Sequence, residues 1–105
     1  MAGYWEFPGG KVEKGEAEVD ALVRELSEEL KVQAEIGDFI GQNVHSYDFA
    51  DIHLSAYWVA DYRGDFRLSD HDQLLWVLPE ELRRLNLAPA DVPLIEPISR
   101  GIQGL

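Results

Sequence analysis

Arg24, Glu25, Glu28 and Glu29 crowd one short stretch of the chain. On a helix, positions three and four apart are neighbours. The three carboxylates then share one side, turned away from much of the Leu22/Leu26 stripe. Like charges at this spacing repel by about a few tenths of a kcal/mol. Water, the adjacent Arg24 or a divalent cation must offset that repulsion. Hard oxygen donors on a rigid helix, with phosphate oxygens completing the shell, suit Mg2+ or Mn2+. A solvated acidic face is the simpler account of a bare Glu-x-x-Glu-Glu, so the triplet gains force only from its surroundings.

The elements that must position these residues show in the apolar pattern. Val19, Leu22, Val23, Leu26 and Leu30 recur at spacings of three and four, which predicts an amphipathic helix from Glu16 to Leu30. Glu16, Glu18 and Asp20 complement the dipole at its start. Tyr4 to Pro8 reads as a short aromatic strand, followed by Gly9-Gly10 and a polar loop to Gly15. Val32 to Tyr47 reads as extended chain, interrupted at Gly37-Asp38 and Gly41. Asp48 to Asp51 reads as a turn and Ile52 to Tyr62 as a strand, which together form a hairpin. Gln73 to Leu78 reads as a short apolar strand, Pro79 to Leu85 as a short helix, and Pro89 to Ile98 as a last helix that Pro93 and Pro97 weaken. This order predicts one α/β domain over residues 1–105, an α+β arrangement with a mixed sheet sandwiched by helices.

Composition narrows the function. The 105 residues carry 9 Lys+Arg against 20 Asp+Glu, a net charge of −11. A chain so acidic is not expected to hold nucleic acid stably, since phosphate backbones need basic patches. It can handle phosphates through a divalent cation, which then carries the positive charge. With no cysteine, disulfides, zinc-thiolate sites and cysteine nucleophiles are excluded. No apolar run approaches the roughly 20 residues of a membrane span. The expected location is the cytoplasm.

The segment around the triplet is more specific than the triplet. Gly10, five residues, Glu16, seven residues, then Arg24-Glu25-Leu26-Ser27-Glu28-Glu29-Leu30-Lys31-Val32 resembles the Nudix box. Every fixed position over residues 10–32 matches except a final glycine, replaced here by Lys31. Trp5-Glu6-Phe7-Pro8-Gly9-Gly10-Lys11-Val12-Glu13 is similar to the MutT branch. Leu22 to Leu26, Trp76 to Glu81 and Leu87 to Asp91 look closer to CTP pyrophosphohydrolases and 8-oxo-dGTP diphosphatases. The resemblance implies a Nudix fold and an Mg2+-dependent (or Mn2+-dependent) pyrophosphohydrolase. Its substrate would be a nucleoside triphosphate, canonical or oxidised, cleaved to monophosphate and pyrophosphate in nucleotide-pool sanitation and DNA repair.

The resemblance also assigns residues. Glu28 and Glu29 are the expected core metal ligands, joined by Glu25 and the Gly9 carbonyl. Arg24 is expected to lock Glu25 by a charge-assisted hydrogen bond, so that Glu25 can orient or deprotonate the attacking water. Asp70 stands where relatives carry a glutamate, one methylene longer, so a water-bridged metal contact is expected there. Glu16 is expected to tie down the loop at the helix start. Lys11 is either a phosphate contact or a surface lysine. Glu6, Phe7 and Pro8 with Asp91 are expected to form the base pocket. Asp91 there only accepts hydrogen bonds, favouring a base that presents an amine. Asp91 can also be read as a helix cap, a role that does not exclude base reading, and base reading is the favoured one. His45, His53 and His71 are too scattered to form a metal site.

Two departures carry expectations of their own. Family members have further sheet strands and a phosphate-contacting arginine ahead of the Trp5-Glu6-Phe7 segment. The expected fold is therefore N-terminally truncated, with an unpaired sheet edge that allows a homodimer. Lys31, if it keeps the positive φ of the glycine it replaces, costs about 1 kcal/mol. The alternatives to a nucleoside triphosphate pyrophosphohydrolase are a truncated, non-catalytic nucleotide-binding Nudix module, or a Nudix hydrolase of another nucleoside diphosphate derivative.

Overall fold

The computed structural model describes residues 3–67 and 73–103. These residues form two compact bodies: 8–38, 57–67 and 73–75 in one, and 3–7, 39–56 and 76–103 in the other. The ordered elements are α1 (Glu18–Leu30), β1 (Gln33–Ser46), β2 (Asp51–Arg63), 3-10 helices at Pro79–Arg84 and Val92–Leu94, and α2 (Ile95–Gln103). β1 and β2 pair as a two-stranded sheet joined by a tight turn, in which Tyr47 N–H donates to Ala50 at 2.9 Å.

The first body is built on α1. Leu26 and Leu30 are buried with Val32 and Ala34, and Leu22, Ile36 and Phe66 pack against them. The stripe at spacing four is thus the core face, and it fixes which side of the helix is left for the carboxylates. Val19 departs from the expected stripe: it sits in the exposed first turn at 39% exposure. The helix begins at Glu18, not Glu16, because Glu16 is engaged in a turn. Its N–H donates to the Glu13 carbonyl at 3.0 Å, while its carboxylate accepts from the Glu13 N–H.

Lys31 ends α1 in the left-handed conformation, at φ 60 and ψ 35, with its N–H donating to the Ser27 carbonyl at 3.1 Å. Its ammonium curls back to donate to the Glu28 carbonyl at 2.8 Å. A positive charge on the last carbonyls offsets part of the backbone strain that glycine would not have. The chain after β2 meets this same corner. Arg67 N–H donates to the Leu30 carbonyl at 2.9 Å, and Gly64, at φ +106, lies so close that a Cβ there would meet the Lys31 carbonyl at 3.0 Å. Only glycine combines that φ with that approach.

The second body has its core in Leu82, Leu87, Ala88, Ala90, Leu94, Ile95 and Ile98. Trp5 pairs with Leu87 in a single parallel bridge, with Trp5 N–H to Asn86 at 2.8 Å and Ala88 N–H to Trp5 at 2.9 Å. The strand expected over Tyr4 to Pro8 is reduced to this bridge, since the next in-line donor, Phe7 N–H, bonds a side chain instead. Glu81 fastens the Pro79–Arg84 helix by accepting from the Leu78 N–H at 2.9 Å. Pro97 lies within the first turn of α2, where backbone N–H groups have no intrahelical acceptor, so it does not break the helix.

Other boundaries differ from the sequence reading. Gly37 and Gly41 do not interrupt β1, which runs unbroken. At Gly37 a Cβ would lie 3.3 Å from the Ala60 Cβ, so its bare backbone serves close strand packing. Gln73 to Leu78 forms no strand, and Leu75, Trp76 and Leu78 are exposed.

The Lys31 cap yields a stability prediction. Lys31→Met keeps the strained φ but loses the ammonium, and is expected to destabilise by about 0.5 kcal/mol. Lys31→Gly is expected to be more stable than Lys31→Met by about 1 kcal/mol. Urea unfolding of the wild type and the two variants measures both; equal stability of the two variants would contradict the strain argument.

Candidate active site

Arg24 organises the α1 body. Its Nε and Nη2 form a fork on Glu16, both at 2.9 Å, and Nη2 also donates to the Lys11 carbonyl at 2.9 Å. Nη1 donates to Glu25 Oε1 at 2.8 Å and lies 3.6 Å from Glu28 Oε2 and 4.0 Å from Glu13 Oε1. One guanidinium thus ties the loop after Gly10 to the helix and draws two helix carboxylates to one nitrogen. The fork from Arg24, helped by the Glu13 N–H, holds the Glu16 carboxyl down at about 2. The same bonds to Glu16 and Glu25 push the Arg24 guanidinium further above its usual range.

Gly10 makes room for this arrangement. A Cβ there would run into the Glu25 carboxylate, closer than any real contact. With Glu25 held in place by Arg24, a side chain at this position would displace the carboxylate, independently of any role in turning the chain. Gly9, before it, is half-buried over Leu22. Glu28 is exposed and Glu29 half-buried on the next turn of α1. The Lys11 side chain is exposed, and it is its carbonyl that Arg24 uses.

Among the described residues, no three His, Asp or Glu side chains converge closely enough to hold a metal ion. Asp70 and His71 lie outside the described residues. The donor chemistry nevertheless fits a hard divalent cation. Glu25 and Glu28 offer only oxygen, they already meet at a cationic nitrogen, and Gly10 leaves open the space one of them occupies.

In the second body Asp91 is 8% exposed, and its Oδ2 accepts from the Phe7 N–H at 3.1 Å. It occupies the N-cap position of the Val92–Leu94 helix, yet its side chain makes no capping bond. The helix-cap reading is corrected accordingly: the carboxyl turns to Phe7 because that N–H has no strand partner. Burial pushes the Asp91 carboxyl up, the Phe7 N–H pulls it down, and the charge of Glu6 pushes it up. Glu6, Phe7 and Asp91 are therefore brought together, whereas Pro8 belongs to the α1 body. Asn43 Nδ2, on β1, donates to the Ala90 carbonyl at 3.0 Å, a contact that no sequence pattern signals. A cavity of about 380 Å3 in this body is lined by Leu82, Leu87, Pro93 and Glu96 among others, and none of the expected site residues lines it.

Comparison with known proteins places these features in context. The NUDIX domain family model matches residues 1–97. A CTP pyrophosphohydrolase of Escherichia coli is 45% identical over 96 residues, 91% of this chain and 71% of that protein. A putative 8-oxo-dGTP diphosphatase 2 of Mycobacterium tuberculosis is 39% identical over 107 residues, 99% of this chain and 74% of its own length. The solution structure of the E. coli ORF135 protein superposes with a TM-score of 0.86 at 43% identity, covering 95% of this chain and 71% of that one. The crystal structure of a MutT protein from Methanosarcina mazei superposes at 0.84 with 26% identity, covering 96% and 75%. No helix among the described residues is long and apolar enough to cross a membrane.

The two perturbed carboxyls predict opposite pH behaviour. Glu16 is lowered in the fold, so its contribution to stability is present above about 4.5 and is lost as pH falls toward about 2. Glu16→Gln should therefore lose less stability than the wild type over that acid range. Asp91 is raised above its ordinary 3.8, so its ionisation costs stability as pH rises past that value. The stability of Asp91→Asn relative to the wild type should increase with pH from about 3.8 upward. Thermal unfolding from pH 2 to 7 reads both slopes, and slopes of equal sign would contradict the assignment.

Proposed function

The chain belongs to the Nudix hydrolase family, and from that premise we propose that it hydrolyses nucleoside triphosphates to the monophosphate and pyrophosphate in the cytoplasm, using Mg2+ or Mn2+. The observation that carries this reading is the pair Glu25 and Glu28 meeting at one Arg24 nitrogen beside the bare backbone of Gly10. Glu25, Glu28, Glu29 and the Gly9 carbonyl would hold the cation, with Asp70 joining through a water. When bound, the cation neutralises phosphate oxygens and lowers the pKa of water.

The chain's own residues do the remaining work. Arg24 holds and orients Glu25, so that it can take the proton of the attacking water. Glu16 and the Lys11 carbonyl keep Arg24 in place, and the Lys11 ammonium contacts phosphate. Asp91 reads the base. With Oδ2 engaged by Phe7, Oδ1 remains to accept from an exocyclic amine, as on cytosine or adenine. The names of the relatives, which concern CTP and 8-oxo-dGTP, support a base that offers a donor.

Glu28→Gln preserves size and removes charge. It is expected to lower pyrophosphate release by at least about a hundredfold while leaving the circular dichroism spectrum unchanged. Near-wild-type turnover would overturn the metal assignment. Asp91→Ala is expected to flatten the preference for CTP over UTP by about tenfold, the equivalent of one lost hydrogen bond. An unchanged ratio in kcat/KM would remove Asp91 from base reading.

A further inference from the structure

We propose that Asn43 is a positioning residue that sets base selectivity by fixing the peptide unit that carries Asp91. The inference rests on the base-reading role given to Asp91 above. The Ala90 carbonyl and the Asp91 N–H belong to one rigid peptide plane. Its N–H donates to the Ala88 carbonyl at 2.8 Å, a local turn bond. Its carbonyl accepts from Asn43 Nδ2 at 3.0 Å, across 47 positions of sequence. Two bonds on opposite edges of one plane fix its rotation about the chain axis, which neither does alone. The Asp91 carboxyl projects from the end of that plane and is held at its far end by the Phe7 N–H.

The residue type matters. The acceptor is a carbonyl, so Asn43 must present its nitrogen, and the amide orientation is determined. Ala90 is buried, 6% exposed, so water does not readily replace the lost donor. β1 is a long paired strand, which makes Asn43 a rigid point of attachment for an otherwise irregular segment. Without it, the Ala90–Asp91 plane can turn, and the free Oδ1 no longer faces one defined direction. The consequence falls on recognition of the base, since Asn43 belongs to the Asp91 body and not to the α1 carboxylates.

The test uses Asn43→Ala and the isosteric Asn43→Asp, which keeps the packing but opposes a carboxylate to the Ala90 carbonyl. Asp91→Ala runs beside them, and CTP and UTP serve as substrates with and without the exocyclic amine. In both Asn43 variants the CTP/UTP ratio of kcat/KM is expected to fall about tenfold, with the loss in KM for CTP and not in kcat. Exchange of the Phe7 amide hydrogen, followed by NMR, is expected to quicken about tenfold, because the Asp91 acceptor is no longer held against it. If Asn43→Ala does not fold, the Asn43→Asp protein decides. Equal losses for CTP and UTP with unchanged Phe7 exchange would make Asn43 a purely structural tie and overturn the proposal. A ratio lost in Asp91→Ala but kept in both Asn43 variants also overturns it, leaving the Asp91 reading intact. A ratio unchanged in Asp91→Ala overturns the base-reading role and this proposal with it.

Discussion

The α1 body depends on one guanidinium. The chain is strongly acidic, and Glu13, Glu16, Glu25 and Glu28 all come within 4.0 Å of Arg24 nitrogens. Arginine can serve this arrangement because its donors lie in a fixed planar fork: two sides hold Glu16 and the Lys11 carbonyl, and the third addresses the helix carboxylates. A lysine would offer a point charge without the fork. Because the loop and the helix are tied through the same group, the glycine-rich approach to α1 and the carboxylates on it form one unit. Gly10 follows from the same constraint, since Glu25 can be held where it is only if the chain opposite carries no side chain.

Asp91 obeys a different logic. A carboxyl this buried would normally be a poor choice, since desolvation disfavours its charge. Here it accepts a backbone N–H that the short Trp5 bridge leaves without a strand partner. The cost of burial is thus partly offset by the bond to the half-buried Phe7 N–H, and one carboxyl oxygen remains for another donor. Among the described residues, Glu16 is pulled down and Asp91 pushed up, one in each body: the first is held as an ion by Arg24 and the Glu13 N–H, the second is disfavoured as an ion by burial.

Some of this was legible in the chain and some was not. The Leu22-Leu26-Leu30 stripe is local, so its helix and the side left for Glu25 and Glu28 could be read from spacing. The Nudix box added the Arg24 to Glu25 contact, and the αL conformation at Lys31 followed from the missing glycine. The Glu16 turn that shortens α1 depends on Arg24, eight positions away, and periodicity does not report it. The strands expected at Tyr4 to Pro8 and Gln73 to Leu78 have suitable residues, but a strand needs a partner, and pairing is not a property of the segment itself. The Asn43 to Ala90 bond had no sequence signal, because an asparagine in a strand is ordinary until the fold brings a carbonyl to it.

The claim that the Arg24-organised carboxylates serve metal-dependent cleavage of nucleoside triphosphates is tested most directly by phosphorus NMR of the reaction products. CTP is incubated with the protein, with and without Mg2+. The account predicts that pyrophosphate and CMP appear together in equal amounts, and only when Mg2+ is present. Orthophosphate with CDP, cleavage in the absence of any divalent cation, or CTP left intact beside a folded protein with Mg2+ would contradict it.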